Sequence, residues 1–211
     1  GTLEINNPIG DNGNIGTVDL VTGAFTLDEE MTAQGQIVIT CSESVTINND
    51  VTSGGNTTII VTGSDTGTLP FTLAGAATLQ STSGTLLIQA DDVNIGGTID
   101  ATGQSVLLRQ NADSEAIELG GTGVTNNEFE LTDTEIDSIT ADLLRVGHAA
   151  SGDIRVTTQV FSPNNIGTLS VVSGGTITDD GVGSLGATSL AIHSVGNVTL
   201  DNSESVDAIS V

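Results

Sequence analysis

Apolar and polar residues alternate in short runs along almost the whole chain, and glycine-containing turns separate the runs. One signature recurs: Gly, a polar residue, apolar, any residue, apolar. It reads Gly1-Thr2-Leu3-Glu4-Ile5, Gly16-Thr17-Val18-Asp19-Leu20, Gly35-Gln36-Ile37-Val38-Ile39 and Gly67-Thr68-Leu69-Pro70-Phe71. It returns as Gly84-Thr85-Leu86-Leu87-Ile88, Gly152-Asp153-Ile154-Arg155-Val156, Gly167-Thr168-Leu169-Ser170-Val171 and Gly196-Asn197-Val198-Thr199-Leu200. A period of two places one row of side chains inside and one outside, which predicts strands. Thr, Val and Ile suit a pleated, half-buried surface, and a glycine before each strand permits the positive φ of a sharp corner. The device runs from end to end, so 1–211 reads as one domain without an internal boundary.

A longer echo spans residues 44–109. Val45, Ile47, Val51, Gly55 and Ile59 recur as Val93, Ile95, Ile99, Gly103 and Leu107, each at the same offset (93 − 45 = 48). Upstream, the run from Gly35 to Ile39 matches the run from Gly84 to Ile88 at one residue more. A fixed-period echo of alternation with glycine punctuation marks a stacked repeat. The expected fold is all-β, a parallel β-helix (β-solenoid) with about twenty residues per coil. Rungs ~4.8 Å apart would make about ten coils a rod roughly 50 Å long.

The rhythm breaks over 110–150. Asn111 to Glu115 is a polar turn and Ala116 to Leu119 a strand. Thr132 and Glu135 then have capping-box spacing ahead of Ile136 and Ile139, which predicts one short helical turn near 133–140, with strand again from Leu143 to Val146. Later strands are expected at 154–157, 169–172, 176–178, 190–193 and 198–200. Asn and Asp clusters at Asn6-Asn7-Pro8 and Asp11-Asn12-Gly13-Asn14 read as turns. The last segment stops within the pattern with no capping helix, leaving a rung that a continuing chain or a neighbour would pair. Gly1 is not a natural start, which points to a chain cut from something longer.

Charge narrows the range of partners. Asp and Glu number 27 against three basic residues, Arg109, Arg145 and Arg155, for a formal net charge of −24. Nucleic-acid affinity comes largely from Lys and Arg neutralising phosphates, so nucleic acid is an unsuitable partner, and so is an anionic membrane surface. No run of eighteen apolar residues exists to cross a bilayer, and no basic-then-apolar signal segment opens the chain. With four Phe, no Trp and no Tyr, thin layers of Val, Ile, Leu and Ala must form the core. Cys41 has no partner for a disulfide and, alternating with Ile37 and Ile39, reads as a small buried hydrophobe.

One stretch carries a family likeness. Leu131, Thr132, Asp133, Glu135, Ile136, Ile139, Thr140, Ala141, Val146, Gly147, Gly152, Ile154 and Val156 fall where a recurrent unit places Leu-Ser/Thr-Asp-x-Glu-Leu/Ile, Ile-Thr-Ala, Ile/Val-Gly and Gly-x-Ile-x-Val. Residues 131–156 thus resemble that unit of very large bacterial exoproteins of the filamentous-haemagglutinin-like class. The resemblance implies a right-handed parallel β-helix, secretion, and a place in an extracellular adhesin stalk or fibre on the bacterial cell surface. The partner it implies is a host, neighbouring-cell or matrix surface. Asn7-Pro8 lacks the Asn-Gly continuation of that class's secretion domain, so the match is to interior stalk.

Candidate chemistry is sparse. Paired carboxylates serve glycoside cleavage, and β-helices include pectate-lyase-like enzymes, so Asp91-Asp92 and Asp179-Asp180 are the pairs to weigh. Adjacent strand residues face opposite sides, and in turns such pairs are solvated. His148 and His193 have no Cys or His at ligand spacing. Calcium needs several oxygen donors, yet neither the Gly-Gly-x-Gly-x-Asp nonapeptide nor an EF-hand loop is present, which leaves weak, diffuse binding. Asn48-Asn49, Asn126-Asn127 and Asn164-Asn165 read as turn residues whose amides bond between rungs. The expectation is a non-catalytic stalk segment with no catalytic, cofactor or metal residues. The alternatives are a filament subunit stacking end to end with copies of itself, and a carbohydrate-active enzyme.

Overall fold

The structure of the protein is a computed structural model, and it describes residues 1–10, 15–63, 70–121, 128–162, 165–202 and 205–210. The described strands lie in a sixteen-stranded and a five-stranded sheet, paired in parallel throughout. They form a β-solenoid of about 8 turns with one short helix. The turn cluster expected at 11–14, most of the Gly67 signature, Asn126, Asn127 and Asn164 lie outside the described residues.

Each regular coil lays one strand segment on each of three faces. Ile37–Ile47 shows how one strand serves two of them. Its burial alternates through 37–41, breaks at exposed Ser42 and Glu43 where the chain turns a corner, and resumes with Val45 and Ile47 inside. Val51–Ser53 then forms the third face. The chain returns to the first face at Thr57–Val61, with Thr57 stacked on Ile37. The coils are less uniform than the echo suggests. First-face steps are 20 residues from Ile37 to Thr57, 29 to Leu86, 20 to Val106, 38 to Leu144, 25 to Leu169 and 21 to Leu190. The longer coils reduce the expected ten turns to about 8, a rod of roughly 38 Å at ~4.8 Å per rung.

The 48-residue echo spans two coils. Val45 stacks on Phe71 and Phe71 on Val93, while Val51 stacks on Leu79 and Leu79 on Ile99. At Ile59 the expectation slips by one residue. Ile59 stacks on Ile88, and Ile88 on the buried Leu108, while Leu107 faces outward. The turn into the first face has three residues between Ser53 and Thr57 but four between Ser81 and Leu86. Gly84 and Gly103, at φ +89° and +75°, sit in the longer turns, whereas Gly55 in the short one has no such φ. Among the described signature glycines only Gly84 uses a positive φ. At Gly35 and Gly196 the reason is close approach between coils: a Cβ would stand 2.3 Å from the Gly16 carbonyl oxygen and 2.7 Å from that of Gly175.

Stacked inward residues build the core. On the second face Phe25, Val45, Phe71 and Val93 form one column, so a ring alternates with a small side chain and neighbouring layers interlock. Leu27, Ile47, Leu73 and Ile95 form the next column. All eight are buried, as are Phe129 and Cys41, the latter as expected. At the inner corner before the first face, serines replace apolar residues. The Ser53 hydroxyl donates to the Gly35 carbonyl at 2.9 Å, Ser81 to Gly55 at 2.9 Å, and Ser173 to Gly152 at 2.7 Å. Each reaches the preceding coil, so the corner backbone, which no strand partner covers, is satisfied from inside.

Among the described residues the 38-residue step holds the largest irregularity. After Thr98–Arg109 the chain lays Ile117–Leu119 on the second face. It then places Phe129–Leu131 parallel to it at an offset of only 12 residues. Phe129–Leu131 also lies against Val93–Ile95, so this coil crosses the second face twice. The predicted helix follows as Asp133–Asp137, with both halves of the Thr132/Glu135 capping box formed. It ends sooner than expected because Ile139 already pairs with Ile99.

Two substitutions test this packing. Leu108→Ala should lower stability by about 2–5 kcal/mol, while Leu107→Ala should change it by less than about 1 kcal/mol; urea unfolding midpoints of the two variants decide the register. Thr57 is fully buried and its hydroxyl has no hydrogen-bond partner. Thr57→Val should therefore raise stability by about 1 kcal/mol, read as a higher midpoint.

Candidate functional site

Carboxylates gather in two kinds of place. Many stand exposed at corners, as do Asp28, Glu43, Asp50 and Asp142. A second group lies on the second face beside the irregular coil. There the outward row stacks Glu130, Glu118, Arg155 and Thr178 on successive strands. The Arg155 guanidinium donates to Glu118 at 2.5 Å and lies 3.6 Å from Glu128, while the Thr157 hydroxyl donates to the other Glu118 oxygen at 2.8 Å. The bond to Glu118 holds the Arg155 pKa above its ordinary value. Glu118 is only 9% exposed, and these bonds compensate its burial.

Nearby carboxylates take the place of strand partners. Asp92 accepts from the backbone N–H of Val93 at 2.8 Å and of Glu130 at 3.2 Å. Glu135 accepts from the Ile95 N–H at 2.9 Å with one oxygen, and from the Thr132 N–H and hydroxyl with the other. Where the inserted chain interrupts the regular ladder, backbone donors would be buried unpaired, and these side chains supply the acceptors. This corrects one expectation: Asp91 and Asp92 are buried, not solvated in an open turn. Asp179 ends the strand Ile177–Asp179 and is half-buried, and Asp180 is exposed just after it. There Asp179 accepts from the N–H groups of Gly181, Asp201 and Asn202, and Asp180 from those of Val182 and Gly183. The fold does not bring the two pairs together, because three strands of the second face separate them.

The remaining candidates are scattered. His148 receives the Ala150 N–H on Nδ1 at 3.3 Å, and burial, with Arg109 nearby, holds its pKa below the ordinary value. His193 is exposed on the first face. Burial pushes the Cys41 thiol up to about 11, which makes it inert at neutral pH. Among the described residues no group of three or more His, Cys, Asp or Glu could hold a metal ion. Asn48 donates to Asp28 at 2.7 Å across a coil step, Asn49 to the Asp28 carbonyl at 3.3 Å, and Asn165 to the Asp137 carbonyl at 3.2 Å. These are the inter-rung bonds expected of turn asparagines.

The first face has a different character. Its outward residues climb one column as Val38, Thr58, Leu87, Leu107, Arg145 and Ser170, and the next as Thr40, Ile60, Gln89 and Arg109. Arg109 lies along the face, donating from Nε at 3.0 Å and Nη2 at 2.7 Å to Gln89 on the neighbouring rung. Asp19, near one end, is the only carboxylate among the described outward positions of this face. Two of the three arginines and a band of aliphatic residues thus share this face.

The Glu118–Arg155 pair was absent from the sequence expectations, although Ile117-Glu118-Leu119 and Ile154-Arg155-Val156 are matching triplets. Their 37-residue separation (154 − 117) hid the stacking. No family model, curated protein or solved structure matches the chain.

Protonation gives a test of the corner carboxylates. The Thr176 N–H donates to Asp153 at 2.7 Å and its hydroxyl at 2.9 Å, and these bonds, backbone first, hold the Asp153 carboxyl below the usual range. A folded-state pKa below the unfolded value contributes stability above the unfolded value, and loses it as pH falls through the folded one. Thr176→Val should move the Asp153 titration upward toward ~3.9 in side-chain carboxyl NMR. The variant keeps the backbone bond and loses the hydroxyl one, so its stability deficit at pH 7 should shrink as pH falls through the Asp153 titration.

Proposed function

We propose that this chain is a structural and adhesive stalk segment of an extracellular bacterial surface protein, and that it performs no catalysis. The observation that carries this reading is the ladder itself. Parallel pairing links the coils from Thr2–Ile5 to Ser205–Ser210, and corner serines, asparagines and aspartates bond to the coil beside their own. Such a rod accumulates stability between neighbours and holds its two ends a fixed distance apart. The filamentous-haemagglutinin-like features of 131–156 support a place within a secreted stalk. Its partners are then a host, neighbouring-cell or matrix surface. A net charge of −24 argues against nucleic acid, and no helix among the described residues is long and apolar enough to cross a membrane.

The carboxylates beside the irregular coil support the non-catalytic part of the reading. Asp92 and Glu135 hold backbone N–H groups, and Glu118 holds Arg155 and Thr157. Antibody raised against the folded chain should label intact cells of the producing organism, and purified chain should release no product from pectate or other polysaccharides. Labelling only after permeabilisation would overturn the surface assignment. Polysaccharide cleavage lost in Glu118→Gln would overturn the non-catalytic one.

A further inference from the structure

The distribution of charge over the prism is uneven in a way the stalk reading does not require. A chain of net charge −24 keeps its first face almost free of acids and places Arg109 and Arg145 there beside Val38, Ile60, Leu87 and Leu107. Strands with one face in solvent ordinarily turn charged residues outward, and the corners of this chain supply acids in plenty. The face is also regular, because its ladder continues without a bulge from Thr57–Val61 through Thr85–Gln89 to the 105–109 rung. The Arg109 guanidinium is held along the face by Gln89 and not extended into solvent.

We propose that the first face is the interface of a side-by-side homodimer, with two copies packing this sheet against its own image. Two arguments select a second copy as the occupant. The first is electrostatic: two rods this acidic repel one another on approach, and first face to first face keeps every corner carboxylate in water. The second is area. Five-residue strands at ~3.3 Å per residue and about 8 rungs at ~4.8 Å give a face of roughly 16 by 38 Å. Pairing two such faces buries about 1,200 Å², above the ~1,000 Å² that a specific interface needs. Packed sheets of this kind meet ~10 Å apart through interlocking side chains, and the aliphatic column supplies them.

Sedimentation velocity of the whole chain from about 1 to 500 µM tests the proposal. A monomer–dimer equilibrium that stops at two copies is expected. It should tighten as salt rises from about 0.05 to 0.5 M, because screening weakens the mutual repulsion. The double variant Leu87→Asp/Leu107→Asp adds acids at the centre of the interface and should weaken the dimer at least tenfold. Thr46→Asp/Thr72→Asp on the second face should leave it unchanged, and thermal melts confirm that both variants fold. The single change Arg145→Glu should weaken the dimer in the same direction without touching the aliphatic column. Monomer throughout both salt conditions would overturn the proposal, and so would a dimer indifferent to the leucine variant. Mass that grows beyond two copies with no response to Leu87 and Leu107 would assign association to the ends instead. A monomer that binds polygalacturonate through Arg145 would assign the face to an acidic polymer.

Discussion

Every coil of this protein must reproduce the cross-section of the coil beneath it, because the hydrogen bonds that hold the rod run between coils and not within them. A strand that fell out of register by one residue would turn its inward row to solvent. The requirement explains choices that composition alone leaves obscure. Rings and valines alternate up the second face because two rings in succession would overfill a layer whose walls are ~4.8 Å apart. Gly35 and Gly196 are glycines because the backbone of the preceding coil passes through the space a methyl group would need. Serines occur inside, against the usual preference for apolar residues, since a corner carbonyl that points along the axis has no strand partner to meet it.

Length variation is tolerated only where it leaves that cross-section intact. The extra residue in the turns holding Gly84 and Gly103 shifts numbering without shifting the faces. The segment between Arg109 and Ile139 is a larger case. It enters and leaves the rod at matching points, so Ile99 and Ile139 still stack, and carboxylates take over the backbone donors its passage exposes. Acidic residues therefore play different parts by position. At corners they bond across coil steps in water, at the insertion they stand in for missing strands, and on the first face they are kept away.

The sequence displays this architecture well because a period of two and a glycine-marked corner leave local traces. Alternation from Ile37 to Ile47 and from Leu86 to Ile88 places the inward rows correctly. The Thr132/Glu135 box locates the helix because both of its hydrogen bonds are local. What depends on contacts distant in sequence is less legible. Leu107 and Leu108 are both leucines, and only the length of a turn upstream decides which one faces the core. Asp91 and Asp92 look like a solvated turn until the arrival of Phe129–Leu131 buries them. Glu118 and Arg155 sit in matching triplets, yet no local pattern reports that the insertion makes them neighbours.

The double crossing of the second face also bears on how such a rod comes apart. Phe129–Leu131 follows Ile117–Leu119 in the chain but lies beneath it, between it and Val93–Ile95. Traction on either terminus can shed outer turns singly, as thread leaves a spool, until it reaches this winding. There the later strand is pinned under the earlier one, and both must let go at once. The winding acts as a clasp part-way along the rod, dividing a coil stack that would otherwise unravel continuously into two lengths that yield separately.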